Sequence, residues 1–96
     1  MDIDELLRDR RDDILGVARK HGVTSVRVFG SVARGTAGED SDIDLLIEVE
    51  GPTTPWFPGG LVADLEAMLG RPVQVVEAQS LRGDLRKHVL EEAVPL

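Results

Sequence analysis

The chain has 96 residues, which suit one small domain, and we expect a single domain over residues 1–96. A formal net charge of −7 argues against autonomous binding to nucleic acid, because a phosphate backbone calls for a basic protein face. There is no cysteine for a disulfide or a thiolate zinc site, and no apolar run approaches the roughly 20 residues that cross a bilayer, so we expect a cytoplasmic protein without a membrane partner.

Hydrophobic spacing predicts the first two elements. Apolar residues recur at close to helical intervals over residues 2–21 and predict one helix, for which His21 and Gly22 make a C-terminal stop. Residues 23–29 are rich in β-branched side chains and predict a short strand that ends at Gly30. The chain is therefore expected to begin as a helix followed by a strand.

A brief helix and a second strand are expected next. Ser31 suits the N-cap of a helix that runs through Arg34, and Gly35 and Gly38 suit its end. Residues 42–49 predict a strand whose side chains alternate between two faces. One face carries Ile43, Leu45, Ile47 and Val49, and the other carries Asp42, Asp44, Leu46 and Glu48.

The second half of the chain adds a loop, two helices and a strand. Residues 51–60 are rich in proline and glycine and predict a loop, and residues 61–69 predict a helix. Residues 73–76 predict a third strand, and a final helix is expected over residues 80–92 with Ser80 as its N-cap. Its apolar side is expected to be Leu81, Leu85 and Val89. The order α-β-α-β-α-β-α predicts an α+β domain.

Two of the three aromatic residues, Trp56 and Phe57, lie in the predicted loop. One interpretation is that they fold back and cover a small sheet. The other is that they anchor a protein partner or a nucleotide base, since Trp is favoured at the energetic centres of interfaces. The sequence leaves both interpretations open.

Asp42 and Asp44 are the strongest candidates for chemistry. Residues two apart on a strand project from the same face, at positions about 7 Å apart along the chain. Protein-bound Mg²⁺ typically takes one or two carboxylates and completes its shell with substrate phosphates. Taken alone, the pair also fits an exposed strand end with no ligand.

Gly30 and Ser31 favour the interpretation that Asp42 and Asp44 bind a ligand. A glycine lets the backbone approach a phosphate closely, and a strand-to-helix turn directs free N–H groups at an anion. Arg34 either adds a cationic contact to the phosphate or lies on the surface. Ten residues separate Ser31 from Asp42. The combination favours a site for a metal-bound nucleoside triphosphate.

At these residues the chain resembles the minimal nucleotidyltransferases of the DNA polymerase β superfamily. The resemblance rests on residues 30–35 (Gly-Ser-Val-Ala-Arg-Gly) and 41–46 (Ser-Asp-Ile-Asp-Leu-Leu), and the element order agrees along the whole chain. It implies a small palm-like fold in which a three-stranded mixed sheet is flanked by about four helices. It also implies in-line attack on the α-phosphate of ATP, with pyrophosphate leaving. By this resemblance, Gly30 and Ser31 hold the triphosphate, and Asp42 and Asp44 are catalytic and coordinate Mg²⁺.

Gln74 is where the sequence departs from the family. The third carboxylate of the family lies on the third strand after a Gly-Arg-x turn, and residues 70–76 put Gln74 in that position. A glutamine can form hydrogen bonds but cannot accept a proton as a base, and it is a weaker metal ligand. Glu48 lies roughly 13 Å from Asp44 along the second strand. Glu77 falls on the opposite face from Gln74, so neither glutamate is a convincing replacement.

The resemblance implies two leading functions. Stand-alone domains of this size in the family act as antitoxins beside an α-helical HEPN-type toxin, to which they transfer AMP from ATP. We therefore expect a Mg²⁺- and ATP-dependent protein adenylyltransferase that neutralises such a partner. The sequence leaves open whether it forms a homo-oligomer or a hetero-oligomer. The alternative, favoured by Gln74, is a catalytically degenerate module that neutralises its partner by binding. Transfer to RNA or to an antibiotic needs a substrate domain or a basic surface that the sequence does not offer.

Overall fold

The computed structural model describes residues 2–38 and 40–96. In that part of the chain, five α-helices and one 3₁₀ turn pack on a four-stranded sheet, which confirms the α+β class. In chain order the elements are α1 (Ile3–Asp9), α2 (Arg11–Lys20), β1 (Val23–Phe29), α3 (Gly30–Arg34), β2 (Ile43–Val49), α4 (Gly59–Leu69), β3 (Val73–Glu77), the 3₁₀ turn (Ala78–Ser80), α5 (Gly83–Glu92) and β4 (Val94–Pro95). None of the described helices has the length and apolar character to traverse a bilayer.

The sheet is mixed and has one more strand than predicted. Its order is β3-β2-β1-β4, in which β2 pairs antiparallel with β1 and parallel with β3. β4 adds to the outer edge of β1 through two register pairs, Arg27 with Pro95 and Val28 with Val94. The prediction of three strands is wrong because a two-residue strand that includes a proline has no period-two pattern to detect.

The helix predicted over residues 2–21 is two helices that meet at Arg10. Each helix buries its own apolar residues. These are Ile3 and Leu7 in α1, and Ile14 and Ala18 in α2. The predicted stop is confirmed, because α2 ends at its C-cap His21 and Gly22 follows with φ +89°.

The last helix starts later than predicted. Ser80 belongs to the 3₁₀ turn, where its hydroxyl donates to the carbonyl of Glu77 at 2.8 Å instead of accepting a bond from a helical N–H. Leu81 is buried before the helix begins, and Val89 is buried within it. Leu85 is 61 % exposed, so the predicted apolar side of three residues is wrong at this position.

Two apolar clusters lie on opposite faces of the sheet. The larger includes Ile43, Leu45 and Ile47 of β2 and is covered by α1, α2 and α4. The smaller joins Leu46 to the 3₁₀ turn and α5. The alternation predicted for β2 is therefore confirmed. Burying apolar side chains on both faces also fixes the register of the strand, because a slip of one residue would exchange the faces.

The loop before α4 separates its two aromatic residues. Phe57 packs against the larger cluster, whereas Trp56 is 89 % exposed. The loop is held by a 2.6 Å hydrogen bond between Nδ1 of His21 and Oγ1 of Thr54, at the end of the sheet where β1 begins. Asp44 lies near the other end of β2, about 17 Å away along the strand. The interpretation that the aromatic residues cover the core is therefore confirmed for Phe57 only. Trp56 is not placed to stack on a nucleotide base near Asp44. That Trp56 anchors a protein partner stays a prediction.

Candidate functional site

The predicted site residues meet at one end of the sheet. Asp44 lies opposite Phe29 of β1 on one side and opposite Gln74 of β3 on the other. Gly30 follows Phe29 directly as the first residue of α3. Asp42 lies one residue before β2, so the predicted strand began one residue too early. The fold therefore gathers residues that are up to 44 positions apart in the sequence.

Gly30 and Asp44 are in close contact. Gly30 has φ +73°, a backbone conformation that residues with a Cβ rarely adopt. A Cβ built on Gly30 would clash with Oδ2 of Asp44. Both the backbone conformation and the neighbouring carboxylate therefore require glycine here.

Ser31 does not cap α3 as predicted. The helix begins one residue earlier, at Gly30, so its N-cap is Phe29, whose side chain makes no capping hydrogen bond. Ser31 therefore lies inside the first turn. The predicted stop at Gly35 is confirmed, since Gly35 is the left-handed C-cap with φ +75°, and Gly38 lies beyond the end of the helix.

Hydrogen bonds at Gly38 and Ser41 hold the loop between α3 and β2. The N–H of Gly38 donates to Oγ of Ser41 at 2.9 Å, and the N–H of Ser41 returns to the carbonyl of Gly38 at 3.2 Å. Nη2 of Arg71 donates to the same carbonyl at 2.9 Å. The bond from Arg71 therefore joins the loop that leads to Asp42 to the segment just before β3.

Gln74 contacts Asp42 directly. Its Nε2 donates to Oδ2 of Asp42 at 3.1 Å. Across residues 2–38 and 40–96, no group of three or more His, Cys, Asp and Glu side chains is arranged to hold a metal ion. The donor set is therefore two carboxylates and one amide. It fits Mg²⁺ that takes its other ligands from phosphates and water, and it does not fit a cage made of protein ligands alone.

The electrostatics at Asp44 also fit a cation. Burial, and then the neighbouring charge of Asp42, raise the pKa of Asp44 above its ordinary value of 3.8; Arg34 opposes this rise and Glu92 adds to it. A raised carboxyl pKa means that the negative charge is poorly compensated. A bound divalent cation reverses that balance, because it is the largest charge in such a site.

Glu92, the last residue of α5, belongs to the site and was missed by the sequence analysis. Its Oε1 accepts a hydrogen bond from the N–H of Gly30 at 2.5 Å, and both of its carboxylate oxygens lie 3.1 Å from Nη1 of Arg34. Its side chain is only 14 % exposed. The one signal in the sequence is a glutamate at the end of a predicted helix, where it opposes the helix dipole. That signal does not identify the partner.

A cavity lies beside the carboxylates and not over them. Its volume is about 560 Å³, and it is bordered by α1, α3 and β4. Arg8, Arg11 and Arg34 line it together with apolar side chains that include Val28, Val32 and Val94. Neither aspartate reaches it. We place the candidate site on the open face around Asp44, since a metal-bound nucleotide requires the carboxylates.

Known proteins share this fold and much of this sequence. Residues 12–96 match the family model described as a nucleotidyltransferase domain. The protein adenylyltransferase MntA of Thermococcus cleftensis is 41 % identical over 75 residues, which cover 78 % of this chain and 76 % of the relative. A solved structure provisionally named as a minimal nucleotidyltransferase is 48 % identical, with a TM-score of 0.86 over 100 % of this chain and 97 % of that chain. A toxin–antitoxin crystallised with AMP-PNP is 22 % identical and has the same fold, with a TM-score of 0.74 over 88 % of this chain and 69 % of that chain.

Proposed function

Because the chain belongs to the nucleotidyltransferase domain family, we propose that it is an antitoxin that transfers AMP from ATP to a HEPN-type toxin. The observation that carries the proposal is the meeting of Gly30, Asp42 and Asp44 at one end of the sheet, where the Asp44 carboxylate fills the space that a Cβ on Gly30 would need. The name of the MntA relative supports protein adenylylation, and the toxin–antitoxin structure with AMP-PNP supports the class of partner and nucleotide. We also propose that residues 1–96 act as one domain.

The triphosphate binds, in this proposal, to Gly30, Ser31 and Arg34. The N–H of Gly30 and the guanidinium of Arg34 converge on one carboxylate in the structure, so they are already directed at a single anion. Charge-assisted hydrogen bonds of this kind are the strong ones, and arginine is the side chain best suited to phosphate. Ser31 adds a contact from the first turn of α3.

Asp42 and Asp44 would hold Mg²⁺ together with the phosphates. When bound, it neutralises the charge that develops on the reacting phosphate. The task of the chain is to orient the two carboxylates. The register of β2 with β3 orients Asp44, and the amide of Gln74 orients Asp42.

The transfer itself is an in-line displacement. A tyrosine hydroxyl of the toxin attacks the α-phosphate, a new P–O bond forms, and the bond to the leaving pyrophosphate breaks. Because Gln74 cannot accept a proton, the proton of the hydroxyl passes to water or to a group that the partner supplies. Loss of a positioned base typically costs ~10²- to 10⁴-fold in rate, so we expect slow turnover.

A second function is favoured by one observation, the hydrogen bond from Gln74 to Asp42. This bond occupies Oδ2 of Asp42, an oxygen that would otherwise be free to bind a metal ion. Gln74 also stands where a third carboxylate would be. In this alternative the domain binds nucleotide weakly or not at all, and neutralises the toxin by forming a complex.

The two functions are separated by mass spectrometry of the partner after incubation with the protein, ATP and Mg²⁺. Addition of one AMP by the natural protein, and its loss in Asp44→Asn, supports adenylylation. Neutralisation of the toxin by a stable complex without any AMP addition supports the binding module. A partner that is neither modified nor bound contradicts both.

A further inference from the structure

The groups proposed to bind phosphate are already occupied by a side chain of the same molecule. We propose that Glu92 is an internal competitor of the nucleotide, so that ATP binds only when its phosphates displace the Glu92 carboxylate from Gly30 and Arg34. This inference rests on the proposed function, because it takes Gly30 and Arg34 as the phosphate-binding groups.

The competition follows from the number of donors. The N–H of Gly30 carries a single hydrogen, and Glu92 accepts it at 2.5 Å. The same carboxylate accepts from Nη1 of Arg34 at 3.1 Å through each of its oxygens. A phosphate oxygen that took the Gly30 hydrogen would lie within contact distance of Glu92. Arg34 has further N–H groups, but a phosphate and the Glu92 carboxylate cannot both take the one hydrogen of Gly30 without strong repulsion.

Apart from Gly30, Arg34 and His88, the surroundings of Glu92 disfavour its negative charge. It lies at the C-terminal end of α5, where the helix dipole opposes a negative charge. It also lies close enough to Asp44 to help raise the pKa of that carboxyl group. The chain as a whole already carries a net charge of −7. Gly30 and Arg34 therefore compensate for a charge that the surroundings disfavour, and a nucleotide phosphate would use the same compensation.

Release of Glu92 does not require α5 to unfold. The helix is anchored through Val89, which lies in the smaller apolar cluster, and Glu92 is not part of that cluster. The Arg34 side chain is 52 % exposed and has room to turn towards a ligand. His88, which is 71 % exposed, has its Nε2 3.5 Å from Oε2 of Glu92 and offers it another partner. A change of side-chain rotamer is sufficient.

The first test compares the affinity of Mg²⁺-ATP for the natural protein and for Glu92→Gln by calorimetry. The glutamine keeps an acceptor for Gly30 but removes the charge, so we expect binding to tighten by ~10-fold, the size of one charge-assisted hydrogen bond. Glu91→Gln is the matched control, because it makes the same change of charge at the exposed neighbouring residue. Magnesium tripolyphosphate is the second ligand, since it has the phosphates without the base.

The outcomes separate the inference from the proposed function. Tightening in Glu92→Gln beyond that in Glu91→Gln, for both ligands, supports the inference. Equal affinities in the two variants, with ATP still bound and AMP still transferred, overturn the inference and leave the proposed function intact. Absence of binding and of transfer in all three proteins overturns the proposed function, and the inference with it.

A second measurement uses the natural protein alone, so it does not depend on the folding of a variant. The nitrogen of Gly30 and the carboxyl carbon of Glu92 are coupled across their hydrogen bond, and nuclear magnetic resonance detects that coupling. We expect it in the free protein and expect it to vanish at saturation with magnesium tripolyphosphate. A coupling that persists at saturation overturns the inference.

Discussion

The neighbours of Asp44 differ in charge on its two sides, where one is a carboxylate and the other is an uncharged amide. Towards β1 and α3, where the family signature predicts an anion, Glu92 supplies one from the chain itself. Towards β3, where the family resemblance implies a third carboxylate for a cation, Gln74 supplies an amide donor. Glu92 and Gln74 each form hydrogen bonds with the groups around them when no ligand is bound. The groups that stabilise the ligand-free fold at this site are therefore the same groups that are proposed to bind the ligand.

The difference also separates binding from turnover. A carboxylate that competes with phosphate weakens nucleotide binding but leaves the chemistry unaffected once the nucleotide is bound. A missing base slows the chemistry but leaves the phosphate-binding groups intact. The two sides of Asp44 can therefore be altered one at a time, and each change has its own measurement.

The largest effect is expected on the β3 side, from Gln74→Asp. The new carboxylate restores a base and a metal ligand, so we expect the rate of AMP transfer to rise by ~10²- to 10⁴-fold. The measurement is the initial rate of AMP addition to the toxin at saturating ATP and Mg²⁺. Gln74→Asn is the control, because it keeps the amide and shortens the side chain. An unchanged rate in Gln74→Asp, with ATP bound normally, would contradict the role given to this position.

The next largest effect tests the contact that joins the two sides, through Gly30→Ala. The added Cβ clashes with Oδ2 of Asp44 on a backbone with φ +73°, and we expect a loss of about 2 to 4 kcal/mol in the free energy of unfolding. Gly70→Ala is the matched control, since Gly70 has φ +68° and a Cβ added there would meet no heavy atom within 4 Å. It should lose only about 1 to 2 kcal/mol. Equal losses in urea denaturation would show that the Asp44 contact does not matter.

A smaller effect on the α3 side is the acid dependence of stability. Burial pushes the pKa of Glu92 upward, but the N–H of Gly30, Arg34 and His88 outweigh it and leave the pKa below the ordinary value of 4.5. A lowered carboxyl pKa stabilises the folded state above about pH 4.5, and this stabilisation is lost as the pH falls through the folded-state pKa. Glu92→Gln should therefore lose less stability than the natural protein between neutral pH and pH 3, as followed by urea denaturation. Identical slopes in Glu92→Gln and in the control Glu91→Gln would count against the contact.

The smallest effect on stability is expected far from both sides, at Trp56. Its side chain is 89 % exposed, so Trp56→Ala should change the free energy of unfolding by no more than about 0.5 kcal/mol. Phe57→Ala, which removes a side chain that packs against the larger cluster, should lose clearly more. If Trp56 anchors the partner, its removal weakens the complex by about 2 kcal/mol or more. An unchanged affinity for the toxin would end the anchor hypothesis.

Local patterns predicted the parts of the site that depend on backbone geometry. The turn at Gly30 was predictable because a left-handed residue between a strand and a helix favours glycine. The shared environment of Asp42 and Asp44 followed from the alternation of a strand. The position of Gln74 opposite this pair followed from the family resemblance, and the parallel pairing of β2 with β3 agrees with it.

Predictions that depended on which donor a side chain would meet were less successful. Ser31 and Ser80 both fit the composition of an N-cap, yet one lies inside its helix and the other bonds back to Glu77. A serine bonds to whichever backbone group the fold brings near, and several compete locally. The division of the first helix at Arg10 was also missed, because its apolar spacing continues across the break.

The sequence by itself therefore determined the family, the α+β class and the identity of the carboxylate pair, because these depend on residue type and on spacing over a few positions. Only the tertiary structure decided that Glu92, 62 positions from Gly30, lies on the groups that we propose to bind phosphate. That contact depends on how α5 packs on the sheet beside α3, and no local pattern encodes it. The motif specifies where an anion can bind, and the packing of the last helix determines which anion is there first.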